Sequence, residues 1–282
     1  MSSDFAPHGM TSGGHAPAAE ATLANRVAGQ AVMEKLLSQR VGLPPRSFLA
    51  RTFGANPLTA EDRSWYTGVL GEVAVGEMLR QLGPQWAVFH AVPVGDGASD
   101  IDHVLVGPGG VFTLNTKHHP GQSVWVGGQT LMVAGRKQRH LYNSAHEAAR
   151  AGRLLSTQVR TVVGVAGIVV ILGAKGLTIK TPPTGTTVMT ARQLLPWLAR
   201  RPVVLGPRQI TALSAVAARP ETWRRTTSNL VDPGFVRYEF AKLRAAVESA
   251  RRRRIGWVLG LFLGGPVVVN TLFYAFPLLV RF

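Results

Sequence analysis

The sequence of 282 residues contains no cysteine, and this absence sets the first limits on its chemistry. Without thiols the chain forms neither a disulfide framework nor a thiolate metal site, which excludes cystine-rich scaffolds and zinc ribbons. The GxxxxGK[ST] loop, the GxSxG elbow and the HExxH helix are also missing. The sequence therefore offers no sign of a P-loop NTPase, an α/β-hydrolase or a zincin protease.

Acidic residues are scarce: the chain has 15 Asp and Glu against 31 Lys and Arg, for a formal net charge of +16. Between His103 and Pro220 there are fourteen basic residues and a single acid, Glu147. A field of this sign attracts polyanions, and both nucleic acids and anionic lipid headgroups qualify. The 46% hydrophobic content supports a folded core of substantial size.

The composition changes along the chain and predicts five segments. The predicted segments are a disordered tail over 1–22, an N-terminal helix and linker over 23–58, an α/β domain over 59–220, a helical juxtamembrane region over 221–254, and a transmembrane helix over 255–280. The tail is rich in Gly, Ala, Ser and Pro and has neither the basic region nor the apolar region of a signal peptide.

The spacing of apolar residues is helical before Pro84, strand-like directly after it, and helical again from residue 140. Helical spacing covers 23–40, and Thr59 with Asp62 forms a capping pair for a second helix that reaches Leu82. Strands are predicted at WAVFHAVPV, IDHVLVG, VFTLNTK, SVWVGG, QTLMVAG, 161–173 and TTVMT, and further helices at 140–158, 190–199, 207–217 and 234–250. The Val/Ile-rich run 161–173 is too short for a membrane span and is typical of a buried strand. This order predicts an α/β layer architecture.

The C-terminal stretch 255–280 contains 26 consecutive uncharged residues, and four arginines precede it, Arg251, Arg252, Arg253 and Arg254. About 20 apolar residues suffice to cross a bilayer, so the length predicts a transmembrane helix. A buried helical hairpin broken at Pro266 is the alternative. By the positive-inside rule the arginine cluster stays cytoplasmic, which predicts a single-pass protein with a C-terminal anchor and a cytoplasmic main domain. The four arginines are expected to contact anionic lipid headgroups.

Polar side chains gather where two of the predicted strands end. Side chains at positions i and i+2 of a strand share a face, so Asp100 and Asp102 point together, as do Asn115 and Lys117 on the following strand. If the strands pair through the GPGG turn, these four groups converge, and Glu72 arrives from the preceding helix. Carboxylate and carbonyl oxygens are the ligands that Mg²⁺ prefers. The pattern fits either a metal-dependent active site or an ordinary hairpin edge.

The order of these motifs resembles the nuclease-related domain (NERD) family of the PD-(D/E)xK nuclease superfamily. The resemblance covers about residues 68–160 and rests on Gly71-Glu72, the DID at 100–102, the PGGVF turn and a strand that ends in Thr116-Lys117. It implies a restriction-endonuclease-like core of helix, mixed central sheet, helix and strand. It also implies that Glu72 and Asp102 bind the metal, that Lys117 positions water or stabilises charge, and that the substrate is nucleic acid, usually DNA, with Mg²⁺ as cofactor and Mn²⁺ as a substitute.

The chain departs from the family pattern at two places. Asn115 stands where the superfamily has a glutamate, which removes one negative ligand, although an amide carbonyl still coordinates Mg²⁺. Asp100 on the same face is a candidate to replace the missing charge. Downstream, Glu147 stands where the family helix carries a glutamine. It is expected to pair with Arg150 or a neighbouring strand, or to support the metal ligands from further out.

Basic residues near the strands are the candidates for nucleic-acid contact. The candidates are Arg136, Lys137, Arg139 and His118, and a solvated surface is the ordinary alternative for each. Two functions therefore remain open from the sequence. One is a membrane-anchored, Mg²⁺-dependent nuclease. The other is a catalytically weak or inactive module that binds nucleic acid or protein partners at the membrane. Oligomeric state is not predicted.

Overall fold

A computed structural model describes residues 22–95, 99–224 and 231–279, with side chains described only up to residue 262 in the last range. The predicted tail over 1–22 lies outside the described residues except for Thr22. The helices are α1 (Gln30–Ser38), α2 (Phe48–Thr52), α3 (Ala60–Leu79), α4 (His140–Val159), α5 (Ala191–Ala199), α6 (Pro207–Ala217) and α7 (Pro233–Leu279). The strands are β1 (Ala87–Pro93), β2 (Asp100–Gly107), β3 (Gly110–His118), β4 (Ser123–Gly127), β5 (Thr130–Val133), β6 (Arg136–Gln138), β7 (Val165–Leu172), β8 (Gly176–Thr181) and β9 (Thr186–Thr190).

The larger sheet has five strands in the order β1-β2-β3-β7-β9. The first three strands form an antiparallel meander, and β7 and β9 continue the sheet in parallel. Asn115 pairs with Val169 of β7, so β3 lies in the middle of the sheet with β2 on its other side. A smaller sheet follows the order β6-β5-β4-β8, in which β8 is parallel to β4. Both sheets are therefore mixed.

Helices cover both faces of the large sheet. On one face, apolar residues of α3 and α5 such as Val75 and Leu194 pack against β2, β3 and β7. On the other face, Ala151 and Leu155 of α4 and Leu213 of α6 pack against β1 and β2. This three-layer α/β arrangement fits the predicted nuclease-like core. Because helices cover both faces of the sheet, its central strands are continuous apolar runs in the sequence.

The start of α3 follows from local hydrogen bonds. The Thr59 hydroxyl accepts a hydrogen bond from the Asp62 backbone N–H at 3.1 Å, and the Asp62 carboxylate accepts one from the Thr59 N–H at 3.0 Å. This reciprocal capping box satisfies two backbone donors that would otherwise lack partners. The predicted start of this helix is confirmed. In contrast, the helix predicted over 23–40 begins only at Gln30, because Gly29 adopts φ 78°, outside the right-handed helical range.

Helix α7 runs from Pro233 to Leu279 without a break at Pro266, so the alternative of a helical hairpin is not observed. Its first part packs on α1 and α3 through Val236, Phe240 and Leu243. Among the described residues, no helix has the length and apolar character needed to cross a membrane. The side chains of 263–280, most of the predicted span, lie outside the described residues. The transmembrane helix over 255–280 therefore has no support from the structure and stays a prediction.

Three elements escaped the sequence reasoning. Helix α2 lies inside the predicted linker, strand β6 has only three residues, and strand β8 has an exposed Gly-Leu-Thr-Ile-Lys-Thr sequence. Each is short or lacks a buried apolar face, so periodicity carries little signal. The other predicted strands and helices are present, and apart from the late start of α1 and the continuation of α7 beyond residue 250 their ends shift by only a few residues.

Candidate metal and nucleic-acid site

Three carboxylates meet at the end of β2 that faces α3. One oxygen from each of Glu72, Asp100 and Asp102 lies within 4.8 Å of the other two. Asp100 and Asp102 share a strand face because they are two residues apart, and Glu72 reaches them from α3. The structure thus brings together three of the four predicted metal ligands.

Gly71 explains how α3 comes so close to β3. A Cβ atom at this position would lie 2.9 Å from His118 Cβ and 3.4 Å from Thr116 Cγ2. Any larger residue would push the helix away from the strand, and with it the neighbouring Glu72. The Gly-Glu pair therefore combines a close helix–strand contact with a carboxylate aimed at the strand end.

Two oxygen atoms of this cluster have no hydrogen-bond partner among the described residues. Glu72 is 5% exposed, and Glu72 Oε2 and Asp100 Oδ2 accept no hydrogen bond from the described residues. Burial, with repulsion from Asp102 and Asp100, raises the pKa of Glu72 well above its usual value. Burial and Asp102 raise the pKa of Asp100 to about 7. Charged carboxylates without partners are costly inside a protein, and a divalent cation compensates them directly. These oxygen donors fit a hard cation such as Mg²⁺ or Mn²⁺.

Asp102 is held in place by the neighbouring strand. Its Oδ2 accepts a hydrogen bond from the Thr116 backbone N–H at 2.5 Å. Burial raises the pKa of Asp102, and the positive charge of Lys117 and the bond from Thr116 act in the opposite direction. The ammonium group of Lys117 is therefore close enough to the cluster to stabilise negative charge there.

Asn115 makes a contact that the sequence did not reveal. Its Nδ2 donates to both Oε1 and Oε2 of Glu147, each at 2.9 Å, while its Oδ1 is buried without a partner among the described residues. Burial raises the pKa of Glu147 to about 7, and the bond from Asn115 opposes that rise. No ion pair joins Glu147 to Arg150 within the described ranges. Of the predicted partners, Arg150 forms no such pair, and Glu147 instead contacts the neighbouring strand β3 through a hydrogen bond from Asn115.

A cavity of about 330 Å³ opens beside the carboxylates. It is lined by Val94, Ser99, Asp100, Ile101, Tyr142, Asn143, His146, Glu147 and Arg150. The guanidinium of Arg150 lies over Gly95, where a Cβ atom would meet its Nη2 at 2.1 Å. Tyr142 is 61% exposed, with the guanidinium of Arg139 over its ring at 4.8 Å and the ring of His146 stacked on it. The cavity thus places the carboxylates of Asp100 and Glu147 beside the guanidinium of Arg150 and the exposed ring of Tyr142.

The predicted nucleic-acid contacts are spread over several elements. Arg136 and Lys137 are exposed on the edge strand β6, and Arg139 is exposed at the start of α4. His118 instead donates from Nδ1 to the Thr67 carbonyl oxygen at 3.1 Å, which ties β3 to α3. Contact of these four residues with nucleic acid stays a prediction.

The sequence did not predict two further features near the site, a buried arginine and a pair of facing histidines. Arg26 is buried, lies 3.7 Å from Glu34 of α1, and is close enough to Asp100 for its positive charge to oppose the rise in the pKa of that carboxyl. His90 and His103 face each other across β1 and β2, with their Nδ1 atoms 2.9 Å apart. Neither has a local sequence signal, since a basic residue in a polar segment and an isolated strand histidine are both common.

Comparison with known proteins agrees with this geometry. Residues 67–172 match the family model of the nuclease-related domain, which includes Glu72, Asp100, Asp102, Asn115, Lys117 and Glu147. No curated protein and no solved structure matches the chain significantly. The predicted resemblance is therefore confirmed for the segment that holds the site.

Proposed function

We propose that the nuclease-related segment hydrolyses phosphodiester bonds of nucleic acid, DNA in preference to RNA, with Mg²⁺ or Mn²⁺ as cofactor. One observation carries the proposal: one carboxylate oxygen each of Glu72, Asp100 and Asp102 lies within 4.8 Å of the other two, and Glu72 Oε2 and Asp100 Oδ2 have no hydrogen-bond partner among the described residues. This cluster lies inside the segment that matches the nuclease-related domain.

Each residue of the site has a distinct role in the proposed reaction. Glu72, Asp100 and Asp102 would hold the cation, and the unpartnered carbonyl oxygen of Asn115 would complete the set. A bound divalent cation lowers the pKa of water and neutralises charge on the phosphate. Lys117, whose charge already affects Asp102, orients the attacking water or stabilises the developing negative charge. Arg150 on the cavity wall would bind a phosphate next to the scissile one.

Glu147 acts through Asn115 in this proposal. Because both Glu147 oxygens accept from the Asn115 amide nitrogen, the amide cannot flip without losing both bonds, and its oxygen stays directed away from Glu147. Where the family pattern has a carboxylate on β3, this chain has the neutral side chain of Asn115, and the carboxylate of Glu147 on α4 lies behind it. This keeps a negative charge near the site while the direct ligand is neutral.

A second function is favoured by Asn115 itself. An amide binds Mg²⁺ more weakly than a carboxylate does, so the chain qualifies as a module that binds nucleic acid or protein without cutting. In that case nucleic acid binds without metal, and replacing Asn115 by Glu together with Glu147 by Gln raises cleavage from a low level.

We also propose that 255–280 anchors the chain in a membrane, with Arg251–Arg254 at the headgroups and the α/β domain on the cytoplasmic side. The 26 uncharged residues that follow four arginines support this. Expression of the full chain with Leu259→Arg and Leu261→Arg tests it. The anchoring proposal requires the parent chain to resist carbonate extraction from membranes and the variant to be released.

Calorimetry on the full chain in detergent micelles tests the metal-dependent nuclease. Mn²⁺ is titrated into the parent, Asp102→Ala, Lys117→Ala and the exposed control Glu77→Gln, and each is assayed on single- and double-stranded DNA. We expect Asp102→Ala to abolish metal binding and cleavage, and Lys117→Ala to retain metal binding while losing cleavage. A folded parent that binds no metal at millimolar concentration contradicts the proposal.

A further inference from the structure

The surface around α2 carries an unusual number of exposed apolar side chains. We call this surface the α2 patch and define it as Phe48 and Leu49 of α2 and Phe53 directly after it, all of which are exposed. Phe48 is 72% and Leu49 63% exposed, although each could bury most of its area by packing on a core. Large apolar residues on soluble surfaces are usually scattered singly, whereas contiguous ones mark an interaction site.

The patch is attached to α7 at the point where the long uncharged stretch begins. Trp257 Nε1 donates to the Thr52 carbonyl oxygen at 2.9 Å, and Arg253 Nη1 donates to the Arg51 carbonyl oxygen at 2.7 Å. The rings of Phe53 and Trp257 lie 5.0 Å apart. These contacts join residues some two hundred positions apart, so the location of the patch beside 250–257 is a property of the fold.

Gly54 makes this attachment possible. A Cβ atom here would lie 2.4 Å from the Ala250 carbonyl oxygen and 2.6 Å from the Arg254 backbone nitrogen. Its φ of 69° also lies in the left-handed region that glycine tolerates best. The chain after α2 therefore presses directly on the backbone of α7.

The two segments that meet at the patch carry charged side chains of one sign only. Segments 41–58 and 249–262 contain no Asp or Glu, and they contribute Arg46, Arg51 and the exposed cluster Arg251–Arg254. Along α7 the patch is followed by the exposed apolar residues Trp257, Leu261 and Phe262. Apolar side chains bordered by cations without acids are typical of elements that lie in the interface of an anionic bilayer.

We propose that the α2 patch inserts into the headgroup and acyl-chain boundary of an anionic membrane, as a second contact beside the start of the 255–280 segment. The proposal deepens the membrane anchoring proposed above and is independent of nuclease activity. Because α7 packs on α1 and on α3, which bears Glu72, a second contact prevents rotation of the domain about the α7 axis. The carboxylate site then keeps a constant orientation relative to the bilayer.

The absence of cysteine allows a direct test in the full chain. Leu49→Cys is labelled with an environment-sensitive fluorophore, and the protein is reconstituted into vesicles of phosphatidylcholine with and without phosphatidylglycerol. Lipids with nitroxides on their acyl chains act as quenchers. Val162→Cys is the matched control, because Val162 is an isolated exposed valine in the loop after α4. Phe262→Cys reports separately on the anchor.

We expect the label at position 49 to shift to shorter wavelength and to be quenched by the acyl-chain nitroxides, more strongly with phosphatidylglycerol, while the label at 162 stays in water. If the emission and quenching of the label at position 49 equal those of the label at position 162, the proposal is overturned. Quenching of the label at position 262 in the same sample would show that the membrane anchor is nevertheless inserted. A shift at 49 that is equal without lipid and grows with protein concentration also overturns it, because a second copy of the chain then covers the patch.

Discussion

The side-chain amide of Asn115 donates to both carboxylate oxygens of Glu147, although 32 residues separate the two in sequence. The bond joins the middle strand of the sheet to α4 and leaves the buried Asn115 carbonyl oxygen without a partner among the described residues. A buried amide whose nitrogen is satisfied and whose oxygen is not has a defined orientation and an unmet acceptor. This arrangement suits an oxygen that coordinates a cation.

The pair can be tested by exchanging its polarity. Asn115→Glu alone places a second carboxylate against Glu147, and we expect it to lower the free energy of unfolding by about 1–3 kcal/mol at neutral pH. The double change Asn115→Glu with Glu147→Gln restores a donor–acceptor pair and recovers most of this loss. Unfolding in the presence of a chelator measures the coupling, with Glu77→Gln as the exposed control. Additive losses in the double variant would contradict the pairing.

We expect Glu72→Gln to stabilise the metal-free protein and to reduce the stabilisation that a bound cation provides. Glu72→Gln removes a carboxyl group whose ionisation is opposed by burial and by Asp102 and Asp100, so the metal-free protein gains about 1–3 kcal/mol of stability at neutral pH. The same change removes a ligand, so Mn²⁺ raises the melting temperature less than in the parent. Thermal unfolding with chelator and with Mn²⁺ measures both. A variant less stable than the parent in chelator would show that Glu72 has a structural role instead.

The buried histidine pair predicts a loss of stability in acid. Burial lowers the pKa of His90 to about 4, whereas an unfolded histidine titrates near 6.5. Between these values the unfolded chain binds the proton and the folded chain does not, so the contribution of His90 is complete above pH 6.5 and falls as the pH drops toward 4, by up to about 3 kcal/mol. His90→Gln abolishes this component of the pH dependence in unfolding measurements, and the exposed control His146→Gln does not. Equal slopes in the two variants would exclude His90 as the source.

We expect Arg150 to contribute to nucleic-acid binding but not to metal binding. Its guanidinium lies on the cavity wall with Asp100 and Glu147, and no Asp or Glu side chain forms an ion pair with it in the described ranges. Arg150→Gln is expected to weaken nucleic-acid binding and to reduce its salt dependence by about one phosphate contact, while the Mn²⁺ affinity is unchanged. Binding measured across salt concentrations checks this, with Arg153→Gln as the control on the same helix. An unchanged salt slope would place the substrate elsewhere.

Gly54 predicts how α2 is attached. Gly54→Ala brings a methyl group against the α7 backbone and strains a left-handed φ, which costs about 1–2 kcal/mol at minimum. We expect faster hydrogen exchange at 48–55, where the Trp257 bond to Thr52 is broken, without a change at the carboxylate site. Gly42→Ala, with φ 80° and no neighbour within 4 Å, is the matched control for the φ effect alone. Equal exchange in the two variants would show that contact with α7 is unimportant.

Local patterns were sufficient for much of the fold. The capping residues Thr59 and Asp62 lie three positions apart, and the i, i+2 spacing of Asp100 and Asp102 follows from strand geometry, so both were predictable. The order of Glu72, the DID and Lys117 was enough to identify the nuclease-related segment. Elements with weak periodicity, such as α2 and β8, were not predictable in this way.

The sequence by itself thus determined the α/β class, the charge of the surface and the residue types available to bind a cation. Only the tertiary structure decided that Glu147 binds Asn115 and not Arg150, that His90 faces His103, and that α2 packs on α7. The physical reason is the range of each interaction. Caps and strand faces depend on neighbours within a few residues, whereas these contacts join separate elements, and their geometry exists only after the helices have packed on the sheet.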